Sequence, residues 1–245
     1  EGNVWAGTYR NGLIRLKKKL LLTYSKKNGL AHEPINALAE DAQKNIWIGS
    51  DKGLCLWKNN TFTYFEGVKG LIPGRVRGIH PSKDKVWFAI YGGISYYQNG
   101  KFYLFEANHL LKNKYIRAVF YDEKQKKLWI GSNEGLYCYS SDKKMTVYSN
   151  KKLGNSSILS INLTSRGITI GTSGGGLVFY TDGQFKRYTI EQKLGGNTVF
   201  DVYEDAQKNI WVSTNGGLTL IQGDELFTFQ QAEGLRSNTI FQTIE

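Results

Sequence analysis

The 245-residue sequence predicts an all-β fold, a β-propeller of four-stranded blades, and three observations lead there. The first is internal repetition: Ala39-Glu40-Asp41-Ala42-Gln43-Lys44-Asn45-Ile46-Trp47 returns almost letter for letter as Tyr203-Glu204-Asp205-Ala206-Gln207-Lys208-Asn209-Ile210-Trp211. The second is its period. Anchors stand at Trp5, Trp47, Trp87, Trp129, Thr169 and Trp211, spaced 42, 40, 42, 40 and 42 residues apart. Repeats of about forty residues built from short strands are the mark of a propeller. The third is composition: 15 Tyr, 12 Phe, 6 Trp and 28 Gly against 3 Pro favour short strands joined by tight turns. Helix content is expected near zero.

Each repeat reads as four strands, A to D from the axis outward. Strand A carries an aliphatic pair three residues apart: Ile35 and Leu38, Val76 and Ile79, Ile116 and Val119, Ile158 and Ile161, Val199 and Val202. Strict alternation would space such a pair by two, so this strand is expected to hold a bulge or twist. Strand B holds the anchor, followed two residues later by a small residue (Gly7, Gly49, Ala89, Gly131, Gly171, Ser213) that lets neighbouring sheets approach. Strand C begins at a Gly followed by Leu or Ile, from Gly12-Leu13 to Gly217-Leu218. Strand D is an alternating aromatic run such as Phe62-Thr63-Tyr64-Phe65, the period-two pattern of a half-buried strand. The chain opens in a B strand and closes with an A strand at 238–245. This predicts one domain over 1–245, six repeats of about 41 residues, with the C-terminal strand completing the first blade beside Trp5. The alternative is six repeats of a larger, seven-bladed ring.

With Asn45-Ile46-Trp47-Ile48-Gly49-Ser50, Gly53-Leu54 and Asn209-Ile210-Trp211-Val212-Ser213-Thr214-Asn215-Gly216-Gly217-Leu218, the repeat resembles that of the two-component regulator propeller family, over the whole chain. The resemblance implies the periplasmic sensor region of a hybrid two-component regulator, which a membrane helix and a histidine kinase usually follow. Many such regulators respond to polysaccharide fragments, so it implies an oligosaccharide ligand, other domains of the regulator as partners, and room for a homodimer. Thr169, where the motif has Trp, departs from the pattern and is expected to loosen or specialise the fifth blade.

A scaffold residue recurs in every repeat, whereas a functional one breaks the pattern. By that filter Glu40, Glu204 and Glu245, and Asp41, Asp122 and Asp205, are turn-capping residues, not a catalytic pair. The lysines behind the net charge of +11 crowd the A-to-B and C-to-D turns of one face, where a solvated surface is expected and no nucleic-acid motif is found. The opposite face, made by B-to-C and D-to-A loops, carries the non-repeating Tyr9, Arg10, His32, Arg75, Arg77, Tyr91, His109, Tyr115, Arg117 and Arg236. Tyr faces stack on sugar rings and Arg forks grip carboxylate or sulfate, so these residues, His32 excepted, form the candidate ligand site. Arg75, Arg77 and Arg117, from neighbouring blades, are expected to converge. The competing reading pairs each Arg with a carboxylate and packs each Tyr between blades.

Other chemistries find less support. Ser173-Gly174-Gly175-Gly176-Leu177 lacks a following Lys-Ser/Thr and reads as a turn, not a phosphate cradle. The three histidines lack metal-ligand spacing, and Cys55 and Cys138 read as isolated packing residues. The reading calls for no metal or cofactor and no catalytic residue. An enzyme resembling streptogramin lyase, with His32 or His109 beside an acid or metal, is the alternative, and a protein-interaction platform the third. No apolar run approaches the ~20 residues a spanning helix needs. The start at Glu1 without a leader is read as a mature protein or a piece of a longer one.

Overall fold

The computed structural model describes residues 4–8, 12–17, 20–30 and 32–243. Twenty-three strands among them form six antiparallel sheets, each in chain order. The first has three strands, β1 (Val4–Thr8), β2 (Gly12–Lys17) and β3 (Leu20–Tyr24). Five four-stranded sheets follow. They are β4 (Ile35–Glu40), β5 (Ile46–Ser50), β6 (Gly53–Lys58) and β7 (Thr61–Phe65); β8 (Val76–Pro81), β9 (Val86–Ile90), β10 (Gly93–Gln98) and β11 (Lys101–Leu104); β12 (Ile116–Asp122), β13 (Lys127–Ser132), β14 (Gly135–Tyr139) and β15 (Met145–Ser149). The last two are β16 (Ile158–Thr164), β17 (Gly167–Thr172), β18 (Leu177–Thr181) and β19 (Gln184–Tyr188), then β20 (Val199–Glu204), β21 (Ile210–Thr214), β22 (Gly217–Gln222) and β23 (Glu225–Phe229). Among the described residues helix is confined to five 3-10 turns of three or four residues, each following the last strand of a sheet. The chain divides into two compact units, 1–119 and 120–245.

Four of the predicted A strands bulge, and at the predicted place. Pairing registers slip between Ile35 and Ala37, Val76 and Gly78, Ile158 and Ser160, and Val199 and Asp201. The skipped residues are Asn36, Arg77, Leu159 and Phe200. A bulge leaves its extra residue out of the ladder and re-aims its side chain. The aliphatic residues on either side keep facing the core.

The anchor packs against the next sheet. In the first unit Trp47 is fully buried with Val76, Phe88, Ile90 and Phe102, its ring 5.2 Å from Phe88 and 4.9 Å from Tyr97. In the second unit Leu177 and Phe179 meet Val199, Val202 and Val212 in the same way. The small residue after the anchor is required by this contact: a Cβ on Gly49 would lie 2.8 Å from Val76 Cγ1, and one on Gly171 2.7 Å from the Val199 carbonyl.

Asp41 explains the repeated nonapeptide. Its carboxylate accepts the backbone N–H of Gln43 and Asn45, the Asn45 side-chain amide and, at 2.8 Å, the indole N–H of Trp47. Asp205 makes the same set with Gln207, Asn209 and Trp211, and Asp122 caps Lys124 and Gln125. Burial alone would raise the Asp205 pKa, but the bonds from Asn209 and Trp211 outweigh it and hold the carboxyl below its ordinary range. Where the anchor becomes Thr169, the acid goes too. Asn162 faces Thr169 as Ala39 faces Trp47, which puts Thr164 at the place of Asp41; Thr164 accepts from Arg166 N–H and donates to the Gly167 carbonyl. Thr169 is fully buried and donates to the Asn162 carbonyl.

The closing strand expected at 238–245 is not formed by its described residues, 238–243, and β1 has β2 as its one described partner. The segment instead lies along the preceding sheet. Ile240 N–H donates to the Thr214 carbonyl at 2.9 Å, Ser213 and Thr243 share a hydroxyl hydrogen bond, and Phe241 meets Phe200 at 4.8 Å.

Candidate ligand-binding site

Two repeat positions supply the site, and both lie where a first strand begins and the preceding sheet turns from its second strand to its third. The first position is the seam pair. Residue 51, after β5, faces residue 75, before β8; residue 91, after β9, faces residue 115, before β12; residue 173, after β17, bridges residue 198, before β20. Backbone bridges fix the 91–115 and 173–198 contacts, and side chains join 51 to 75. The pairs are Asp51 with Arg75, Tyr91 with Tyr115, and Ser173 with Thr198. The second position is the bulge.

In the first unit these positions gather charge. Arg75 grips Asp51 with its fork, Nε at 2.7 Å from Oδ1 and Nη2 at 2.8 Å from Oδ2. The bulge residue Asn36 donates to the same carboxylate at 2.8 Å. The bulge residue Arg77 is half-buried, and its pKa is lowered first by that burial, then by Arg75 and Arg117, with Asp51 pulling the other way. Arg117 holds the same place in β12 as Arg77 in β8. The backbones touch there: a Cβ on Gly78 would lie 2.8 Å from the Arg117 carbonyl oxygen and 3.3 Å from Ala118 Cα. Arg117 Nε is buried without a hydrogen-bond acceptor among the described residues. Beside this cluster the rings of Tyr91 and Tyr115 pack 4.6 Å apart, tilted by 54°, and remain 45% and 56% exposed, enough to offer faces to a ligand.

The structure thus brings together Arg75, Arg77, Arg117, Tyr91 and Tyr115. His109 is exposed on the 3-10 turn Asn108–Leu110, and Arg236 is exposed in a loop of the second unit, where its carbonyl accepts from Gln231. His32 sets its ring edge against Tyr64 at 6.1 Å. Tyr9 and Arg10 lie outside the described residues. Asp51 and Asn36 were missed by sequence reasoning. Both could have been found by offset, since Asn36 stands one residue after Ile35 as Arg77 does after Val76, and Asp51 precedes its C strand as Tyr91 does.

Elsewhere the chemistry is structural. In the second unit a cavity of about 240 Å³ is lined by Gly154, Gly174, Gly175, Arg187, Glu191 and Asn197. The N–H groups of Gly174 and Gly176 both donate to the Asn197 carbonyl, which uses up the donors a phosphate would need. Among the described residues no three His, Cys, Asp or Glu lie together as a metal site would require. Cys55 and Cys138 are buried, and burial pushes their thiols up to about 12 and about 11. On the lysine-rich turns Lys44 pairs with Glu40, Lys144 with Asp142 and Lys208 with Glu204, all three lysines highly exposed. Such pairs contribute little to stability. No helix among the described residues is long and apolar enough to cross a membrane.

Comparison with known proteins agrees with this architecture. The sequence model described as two component regulator propeller matches residues 29–52 and 193–216. Histidine kinase P4 of Formosa agariphila is 27% identical over 96% of this chain, which corresponds to 19% of the kinase. The extracellular domain of the hybrid two component system BT4673 from B. thetaiotaomicron superposes with a TM-score of 0.67 at 20% identity, over 89% of this chain and 31% of that one. Streptogramin B lyase superposes with a TM-score of 0.73 at 16% identity, over 94% of this chain and 80% of the lyase. The chain therefore spans about a fifth of the kinase and about a third of the extracellular domain it matches. At these identities the structural likeness concerns the fold alone. Taken with the anchors, bulges and glycine contacts above, these matches identify the chain as one that carries the two component regulator propeller repeat.

Proposed function

We propose that this chain is the ligand-binding propeller of a two-component signalling regulator, exposed outside the cytoplasm, and that it recognises an oligosaccharide without turning it over. One observation carries the reading. The residues that break the repeat, Arg75, Arg77, Arg117, Tyr91 and Tyr115, gather at one end of the sheets of the first unit, while the repeating ones hold the scaffold. Loops on a rigid scaffold are where recognition concentrates, and paired Tyr faces beside Arg forks suit a sugar bearing polar or acidic groups. The six repeats serve as blades, of a six-membered ring or of a larger one. Binding favours one arrangement of the regulator's domains or subunits, and that bias reaches a kinase elsewhere in the full protein. The match to the regulator repeat and to extracellular domains of two component systems supports this placement. The same resemblance supports a periplasmic location.

Isothermal titration calorimetry of the 245-residue chain against a panel of plant and algal oligosaccharides tests it. Binding by one class, lost on replacing Tyr91 or Tyr115 by Ala, is the expected result. A folded chain that binds no oligosaccharide refutes it.

A further inference from the structure

The reading above leaves open what kind of sugar the site takes, and the bulges answer that. We propose that Arg77, the bulge residue of β8, and Arg117, at the same repeat position in β12, form a site for an oxyanion, a carboxylate or sulfate carried by the ligand. This deepens the proposed function and rests on it.

Three guanidiniums meet near one carboxylate, and that carboxylate is already taken by the Arg75 fork and the Asn36 amide. Asp51 therefore serves Arg75, and two cations remain. Arg77 and Arg117 sit on abutting strands, for the Arg117 carbonyl occupies the space a side chain on Gly78 would need. Arg77 stands where the ladder of β8 skips a residue, which turns its side chain away from regular sheet packing, and Arg117 holds the same repeat position in β12. Arg117 Nε is buried and donates to nothing among the described residues. A buried donor left unmet is costly, and an oxyanion would meet it with a charge-assisted bond. Arg77 is disfavoured as a cation by burial and by its two cationic neighbours, a cost that an anion between the forks would reverse. In the second unit the same repeat positions hold Leu159, Phe200 and Phe241, so the cationic pair is a feature of particular repeats and not of the scaffold.

The test has two arms. In the first, thermal unfolding of the 245-residue chain is followed in sodium sulfate and in sodium chloride of equal ionic strength. Sulfate is expected to raise the midpoint of the wild type. The gain should vanish in Arg77→Gln/Arg117→Gln, fall partway in Arg77→Lys/Arg117→Lys, and persist in Lys144→Gln, an exposed control on the lysine-rich turns. No protection of the wild type, or equal protection of the Gln pair, overturns the proposal. In the second arm, calorimetry compares oligogalacturonate with its methyl ester, and a sulfated galactan oligosaccharide with its desulfated form. At least one acidic member should bind about tenfold or more tightly than its neutral counterpart, as loss of a charge-assisted bond predicts, and the Gln pair should erase the difference. Equal binding of acidic and neutral forms overturns the anion site and leaves the sensor reading standing. Sulfate protection through Arg77 and Arg117 with no saccharide bound supports the anion site and refutes the oligosaccharide.

Discussion

Replacing Asp41 by Ala tests the account of the repeated nonapeptide. Its carboxylate takes two backbone N–H groups, a side-chain amide and the indole N–H of Trp47, and both Asp41 and Trp47 are buried, the latter completely. Bonds to a charged acceptor contribute ~1.5–3 kcal/mol each, and an orphaned buried donor costs ~1–3 kcal/mol; because the bonds share one residue they do not add in full. A loss of about 4 kcal/mol follows, which for a chain of this size lowers the melting midpoint by roughly 8–16 °C. The repeat supplies its own control. Asp205 makes the same bonds, but Trp211 is only half-buried, so Asp205→Ala should cost less than half as much. A cycle with Trp47→Phe isolates the indole contribution, because Asp41→Ala should cost about 1–3 kcal/mol less once the donor is gone. Urea unfolding followed by tryptophan fluorescence and circular dichroism reads all of these. Equal losses for Asp41→Ala and Asp205→Ala, or an Asp41→Ala loss under about 1 kcal/mol, would refute the reasoning.

Three further expectations follow. Gly49→Ala should destabilise by about 1–3 kcal/mol through overpacking against Val76, with part of the loss recovered by Val76→Ala in the same chain; an unchanged urea midpoint would show that the sheets do not press together there. Asp201, whose pKa burial raises from 3.8 to about 6 against the opposing bond from Asn162, binds its proton more tightly in the folded chain. Its stabilising contribution is full below pH 3.8 and is lost as the pH rises towards 6. At neutral pH Asp201→Asn should then gain up to about 3 kcal/mol, and the difference between variant and wild type should shrink on acidification; a pH-independent difference counts against it. Cys55 and Cys138, raised to about 12 and about 11 by burial, should resist an aromatic disulfide reagent at pH 8 and both react in guanidinium.

The fold was legible because its determinants recur. Trp47, Gly49 and Gly53 announce their strands by spacing, and even the bulge could be read from the three-residue interval between Ile35 and Leu38. The tail was less legible, since 238–243 has the letters of a first strand but lies along the preceding sheet without entering a ladder. In the site, Arg75, Arg77 and Arg117 stood out as breaks in the pattern, and their convergence followed from shared offsets. Asp51 did not stand out. Its role depends on facing Arg75 across 24 residues of chain, a contact that only its shared offset with Tyr91 could have revealed. His109 and Arg236 broke the pattern just as visibly, yet they sit on exposed loop segments, so irregularity alone does not reveal direction.

The slipped register divides labour within a single strand. Ile35, Val76, Ile158 and Val199 on one side of the slip stay committed to the interior, while the skipped residue owes nothing to the ladder. Positions 36, 77, 159 and 200, with 117 at the same offset in β12, are therefore points where chemistry can be exchanged while the framework stands, as Asn, Arg, Leu, Phe and Arg at equivalent places already illustrate. A library randomised at those five codons should yield mostly soluble, cooperatively melting chains whose preferences for small molecules differ from one clone to the next.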